Sequence, residues 1–148
     1  PVRLSQLLRE AAQIYFGKND TKDNKILLKL DDNLPPISAD YARIMQVVTN
    51  LLSNSLRHTK NGIIEITLKK QSSCQLVSVS DNGDGMTEEI KAKAFDGYVS
   101  VSKEYWRHGI GLYVCRKIVE AHGGKIWIES ELGEGTEISF TLPYTEEK

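Results

Sequence analysis

The 148-residue sequence is poor in cysteine, proline and histidine and carries no surplus of either charge. Its two cysteines, Cys74 and Cys115, lie far apart in no metal-ligand spacing. That excludes a disulfide framework and a structural zinc site. Two reduced thiols fit a cytoplasmic compartment. No apolar run approaches the roughly 20 residues of a membrane-spanning helix, and the start is not the charged-then-apolar pattern of a signal peptide. Nineteen basic residues against twenty acidic ones give a net charge of −1. Such a chain has no global basic field for a polynucleotide backbone, and no nucleic-acid partner is expected. The first residue is Pro1, so a domain excised from a longer chain is expected.

What is present is an ordinary globular composition, 40% hydrophobic and 26% charged. At roughly 150 residues per domain, residues 1–148 form one domain. Leu4, Leu7, Leu8, Ala11, Ala12 and Tyr15 recur at helical spacing, with Gly17 after them. Ile26, Leu28 and Leu30 alternate as in a strand. Beyond Pro35-Pro36, Ser38 is placed to cap a long helix running to about Thr59. Ile64, Ile66 and Leu68, then Val77 and Val79, alternate as two strands. A short helix covers 87–94, and residues 95–108 have no clear period and read as a loop. Leu112, Cys115, Ile118, Val119 and His122 mark a further helix closed by Gly123-Gly124. Two strands follow, 125–130 and 136–142. Because strands and helices do not strictly alternate, a doubly wound parallel sheet is disfavoured. The expectation is an α+β fold, a mixed sheet with helices on one face.

Four places carry candidate chemistry. At 100° per residue, Asn50, Asn54 and Arg57 share one stripe of the long helix. Amide oxygens are hard ligands suited to Mg²⁺, and a guanidinium meets phosphate directly; for this helix taken alone, a solvated polar face is the favoured explanation of the stripe. Asp81 has the strand parity of Val77 and Val79, so its carboxylate points toward the core and needs a donor. An adenine amino group would supply one, and Gly83 and Gly85 would let the backbone come close to a ligand. An Asx turn within Asp81-Asn82-Gly83-Asp84-Gly85-Met86 is the alternative. Gly109-Ile110-Gly111-Leu112 is expected to open a helix and so offer free amides to an anion, or to be only a flexible turn. Gly133-Glu134-Gly135-Thr136 is a tight turn between strands.

In their order, "NLLSN", "DNGDGM", "GIGL" and "GEGT" resemble the N box and three glycine boxes of sensor histidine kinases. Those kinases share a superfamily with type II topoisomerases, heat-shock chaperones and mismatch-repair ATPases. The flanks "LPPISADYARIMQVVTNLLSNSLRHT" and "AHGGKIWIESELGEGTEISFTLP" extend the likeness over nearly the whole chain. The resemblance implies a two-layer α/β sandwich of the Bergerat type, with a mixed, mostly antiparallel sheet and three main helices on one face. ATP would lie between the layers. Asn54 would hold Mg²⁺, Asn50 would lie near the phosphates and Arg57 would contact them. His58 would stand beside the nucleotide. Asp81 would accept from the adenine amino group, with Gly83, Gly85 and Met86 shaping that pocket and Thr136 near Asp81. Residues 95–108 would form a lid, with Gly109, Ile110, Gly111 and Leu112 as hinge and phosphate cradle.

Hydrolysing members of the superfamily resemble one another in having a glutamate where this chain has Asn50. A carboxylate there can activate water, and an amide cannot, so transfer to a protein is favoured over hydrolysis. The implied function is donation of the ATP γ-phosphoryl group to a histidine on a separate dimerisation domain in two-component signalling. A response-regulator receiver domain would be the indirect partner. The fragment would be monomeric, and the full-length protein a homodimer, cytoplasmic or anchored in the inner membrane. Arg107 replaces the family's first glycine in the second glycine box, and His108 follows it; Arg107 would contact phosphate instead. The phenylalanine box is reduced to Phe95 and Tyr98, and no histidine stands in an acceptor motif. The alternatives are a serine kinase or ATPase on the same fold, or a degenerate nucleotide-binding scaffold. The helix at residues 4–16 is expected to offer an exposed apolar stripe to the missing domain.

Overall fold

A computed structural model describes residues 1–16, 24–96 and 103–144, with backbone alone at 15–16 and 103–110. The order is α1 (Leu4–Phe16), β1 (Lys25–Leu30), α2 (Tyr41–His58), β2 (Ile63–Gln71), β3 (Cys74–Asp81), α3 (Glu88–Ala92), α4 (Lys103–Ala121), β4 (Ile126–Glu131) and β5 (Gly135–Pro143). This is the order of elements expected from periodicity. The five strands form one sheet in the order β1-β2-β3-β5-β4. Only β1 and β2 are parallel, with α2 as their crossover; the other pairs are antiparallel.

The register turns the alternating patterns into three rows across the covered face. Leu30, Leu68, Val77, Phe140 and Ile126 form the first, and Leu28, Ile66, Val79, Ile138 and Ile128 the second. Both are wholly apolar and pack against the helices. The third row is Ile26, Ile64, Asp81, Thr136 and Ser130. It begins apolar and ends in a carboxylate and two hydroxyls, all three buried. The outer face is polar by the same register, with Glu65, Ser80, Glu137 and Glu129 in one row.

Three expectations need correction. The cap of α2 is Asp40, not Ser38: its carboxylate accepts from the Arg43 amide at 3.2 Å, two residues further on. The apolar stripe of α1 is not offered outward, because Leu4, Leu7, Leu8, Ala11 and Ala12 are all buried in the shared core. An amphipathic helix covers its own sheet when one is available. Third, the expected loop over 95–108 is partly helix. α4 begins at Lys103, so Gly109 and Gly111 lie inside a helix and do not open one. Glycine costs a helix only about 1 kcal/mol per residue, which tertiary packing overrides. Phe95 packs against the core, and Tyr98 lies outside the described residues.

Candidate nucleotide site

The candidate site begins at the polar end of the third row, where the turn after β3 meets the end of α2 through the Asp84 amide and the His58 carbonyl. Along α2, Ile44, Val47, Val48, Leu51 and Leu52 are fully buried. Asn54 is buried with them at 3% exposure, Asn50 is half-buried and Arg57 exposed. A solvated polar stripe therefore does not describe Asn54. Its Oδ1 is buried without a hydrogen-bond partner, a costly state for an amide oxygen. An oxygen in that state suits a hard cation. Arg57 Nη1 donates to Ser53 Oγ at 3.2 Å, one turn back.

The two helices run antiparallel. Cys115 Sγ approaches the Val47 carbonyl at 3.7 Å, and seven residues later His122 Nε2 accepts from the Asp40 amide at 3.1 Å. Followed toward the start of α4, this alignment brings Gly111 alongside residues 50–54, and open space lies where a Gly111 side chain would stand. The Cys115 thiol also meets the Asn50 side chain; burial, the larger influence, pushes its pKa up to about 12. It is a neutral spacer between the helices. Leu112 is core. With α4 starting six residues before Gly109, the argument from free amides at a helix start does not apply there. The side chains of Arg107, His108 and Ile110 lie outside the described residues.

The glycine-rich turn after β3 is built by contact. The Asp81 carboxylate accepts from the Gly83 amide through Oδ1 at 3.0 Å. The Asx turn is thus real, and it aims the carboxylate rather than consuming it, since Oδ2 has no hydrogen bond among the described residues. The Asp84 amide donates to the His58 carbonyl at 3.0 Å, and a Cβ on Gly83 would collide with that same carbonyl. Gly85 has φ +74 and lies against the Glu131 carbonyl. His58 Nδ1 stands 3.9 Å from an Asp84 carboxylate oxygen. Close approach of turn to helix end and hairpin is therefore what these glycines serve.

Ser130 is the residue that sequence reasoning missed. Its hydroxyl accepts from the Met86 amide at 2.8 Å, donates to the Gly135 carbonyl at 2.9 Å, and lies 3.0 Å from Thr136 Oγ1. Strand parity with Ile126 and Ile128 placed it on the inner face, a signal available in the sequence. Asp81, Thr136 and Ser130 stand side by side across β3, β5 and β4 in the third row.

Residues 39–146 match the family described as histidine kinase-, DNA gyrase B-, and HSP90-like ATPase. The alginate biosynthesis sensor protein KinB of Pseudomonas aeruginosa is 33% identical over 95% of this chain and 24% of its own length. The adaptive-response sensory kinase SasA of Microcystis aeruginosa is 41% identical over 88% of this chain and 36% of its own. The chain thus spans well under half of these curated relatives. The nucleotide-free catalytic domain of the histidine kinase ThkA superposes with a TM-score of 0.85 at 33% identity, covering 98% of this chain and 97% of that one. ThkA has also been solved in complex with the response regulator protein TrrA; this chain covers 41% of that kinase, at a TM-score of 0.79 and 32% identity.

Proposed function

Because the chain belongs to the histidine kinase-, DNA gyrase B-, and HSP90-like ATPase family, we propose that it is the catalytic domain of a two-component histidine kinase, binding Mg·ATP for phosphoryl transfer to a histidine on a separate dimerisation domain. The observation that carries this reading is the buried, unpartnered Oδ1 of Asn54 on a helix whose other buried side chains are almost all apolar.

Each residue then has a task. Asp81 Oδ2 accepts from the adenine amino group while Oδ1 stays with Gly83. Asn54 would supply an oxygen to Mg²⁺, which when bound would offset triphosphate charge. Arg57, exposed at the end of α2, reaches phosphate oxygens. Gly111, with open space beside it, leaves room for the triphosphate along α4. Asn50 has no proton-accepting carboxylate, so water is not activated and the phosphoryl group is kept for the partner. A neutral imidazole nitrogen from the partner domain attacks the γ-phosphorus, the bond to the bridging oxygen breaks, and ADP departs. The work of this domain is positioning and charge stabilisation. The ThkA complex with TrrA supports a response regulator as the downstream partner.

Calorimetric titration with a non-hydrolysable ATP analogue, with and without Mg²⁺, tests the assignment. Magnesium-dependent binding is expected, with Asn54→Ala losing the magnesium dependence while remaining folded by circular dichroism. Equal binding by Asn54→Ala, with the same magnesium dependence, would remove Asn54 from the site.

A further inference from the structure

We infer that Ser130 is a positioning residue that makes this site selective for a 6-amino purine over a 6-oxo purine, by holding the Thr136 hydroxyl as a hydrogen-bond acceptor. The inference rests on the nucleotide reading above and deepens it. It follows from counting protons around one buried oxygen.

A serine hydroxyl has one proton and two lone pairs. The Gly135 carbonyl, 2.9 Å away, can only accept, so the Ser130 proton goes there. The Met86 amide, 2.8 Å away, can only donate, so it takes one lone pair. Thr136 Oγ1, at 3.0 Å, is left with a single complementary role. It donates its proton to the remaining lone pair of Ser130. Thr136 then turns only lone pairs toward the rest of its surroundings. Both residues are 7% exposed, too little for bulk water to reorder this arrangement.

Thr136 sits directly opposite Asp81 in the β3–β5 register, and both are buried in the third row of the covered face. Two neighbouring acceptors result: the free carboxylate oxygen of Asp81 and the oxygen of Thr136. A 6-amino group presents donors to both. A 6-oxo group presents an acceptor to both, so neither can pair with it, and the only donor at that edge of the base moves to N1–H. A free threonine hydroxyl would not discriminate this way, since it could rotate to donate to the 6-oxo group. Ser130 removes that freedom without touching the base.

The test compares ATP with inosine triphosphate, which has a 6-oxo group and an N1 proton in place of the 6-amino group and bare N1, without the 2-amino group of guanine. Dissociation constants for both, with Mg²⁺, are measured for wild type, Ser130→Ala, Ser130→Thr and Thr136→Val. Ser130→Ala orphans the Met86 amide and so weakens both ligands; the ratio of the two constants is the readout that a general loosening would not move. The preference for ATP is expected to fall roughly tenfold in Ser130→Ala, about the worth of one hydrogen bond. It is expected to persist in Ser130→Thr, which keeps the hydroxyl, and to fall in Thr136→Val, which removes the acceptor and keeps the shape. An unchanged ratio in Ser130→Ala, or in Thr136→Val should the alanine variant not fold, overturns the inference. A wild-type domain that binds neither nucleotide overturns the functional reading itself and takes this inference with it.

Discussion

At the scale of single residues, the site depends on places where a side chain would be too much. Gly85 combines a positive φ with backbone contact to Glu131. Gly85→Ala is expected to lose about 1–3 kcal/mol from the backbone conformation alone, read as a lower denaturant midpoint, and to lower nucleotide affinity with it. An alanine variant as stable as wild type would show that the turn adapts freely. These glycines were visible in the sequence as a motif, but their reason was not. A Gly-x-Gly spacing does not say that the carbonyls of His58 and Glu131, tens of residues away in the chain, press against those backbones. Asp81 was legible more fully, because strand parity alone placed its carboxylate inward. Ser130 had the same parity signal, yet its role depends on three partners, two from its hairpin and Met86 from the turn after β3, that only the fold brings together.

At the scale of elements, two pairings carry the predictions. The first joins α2 to α4. The His122 ring accepts from the Asp40 amide through Nε2, and its Nδ1–H donates to the Ile118 carbonyl at 2.8 Å. One ring thus ties the end of α4 to the start of the helix that bears Asn50 and Asn54. His122→Ala is expected to cost about 1 kcal/mol and to speed hydrogen exchange at the Asp40 amide. Unchanged exchange there would mean the tie carries no load. The second pairing joins β4 to β5 on the outer face, where Glu129 stands opposite Glu137. Partial burial, then hydrogen bonding to and repulsion by Glu129, raise the Glu137 pKa above its ordinary value; repulsion by Glu65 adds to this and Lys69 opposes it. The folded state therefore holds that proton more tightly than the unfolded state does. Stability is full below the ordinary carboxylate range and falls as pH rises through the raised value. Glu137→Gln is expected to melt at a higher temperature than wild type near pH 7, with the gap closing near pH 4. A gap that does not vary with pH would assign the effect to packing.

Element order was legible because apolar periods of two and near 3.6 remained clean in every segment except around Gly109. There the local signal, two glycines in three residues, argued for a break, while the helix from Lys103 onward continues through them. Local propensity lost to whatever the rest of α4 packs against, as it often does. The same limit applies to α1. Its stripe was read correctly as apolar and wrongly as outward, since periodicity identifies a buried face without naming its neighbour.

At the scale of the whole molecule, the sheet topology distributes labour between its two faces and its two ends. The parallel pair β1–β2 carries α2 across the sheet, so the amide-bearing helix is held at both of its ends by strands. No described helix is long and apolar enough to cross a membrane. Two of the three inner rows are sealed with hydrocarbon, and the third stops short of it. A molecule seated there would supply the packing that Asp81, Thr136 and Ser130 withhold from the interior. The nucleotide is then a component of the fold as much as cargo. Unfolding must release it, and mass action makes the domain more durable as ligand rises, by about 2.7 kcal/mol at a hundred times the dissociation constant. Under the proposed nucleotide reading, a cell's supply of ATP would in this way set how long each copy resists proteolysis, making the domain's abundance a slow record of energy status.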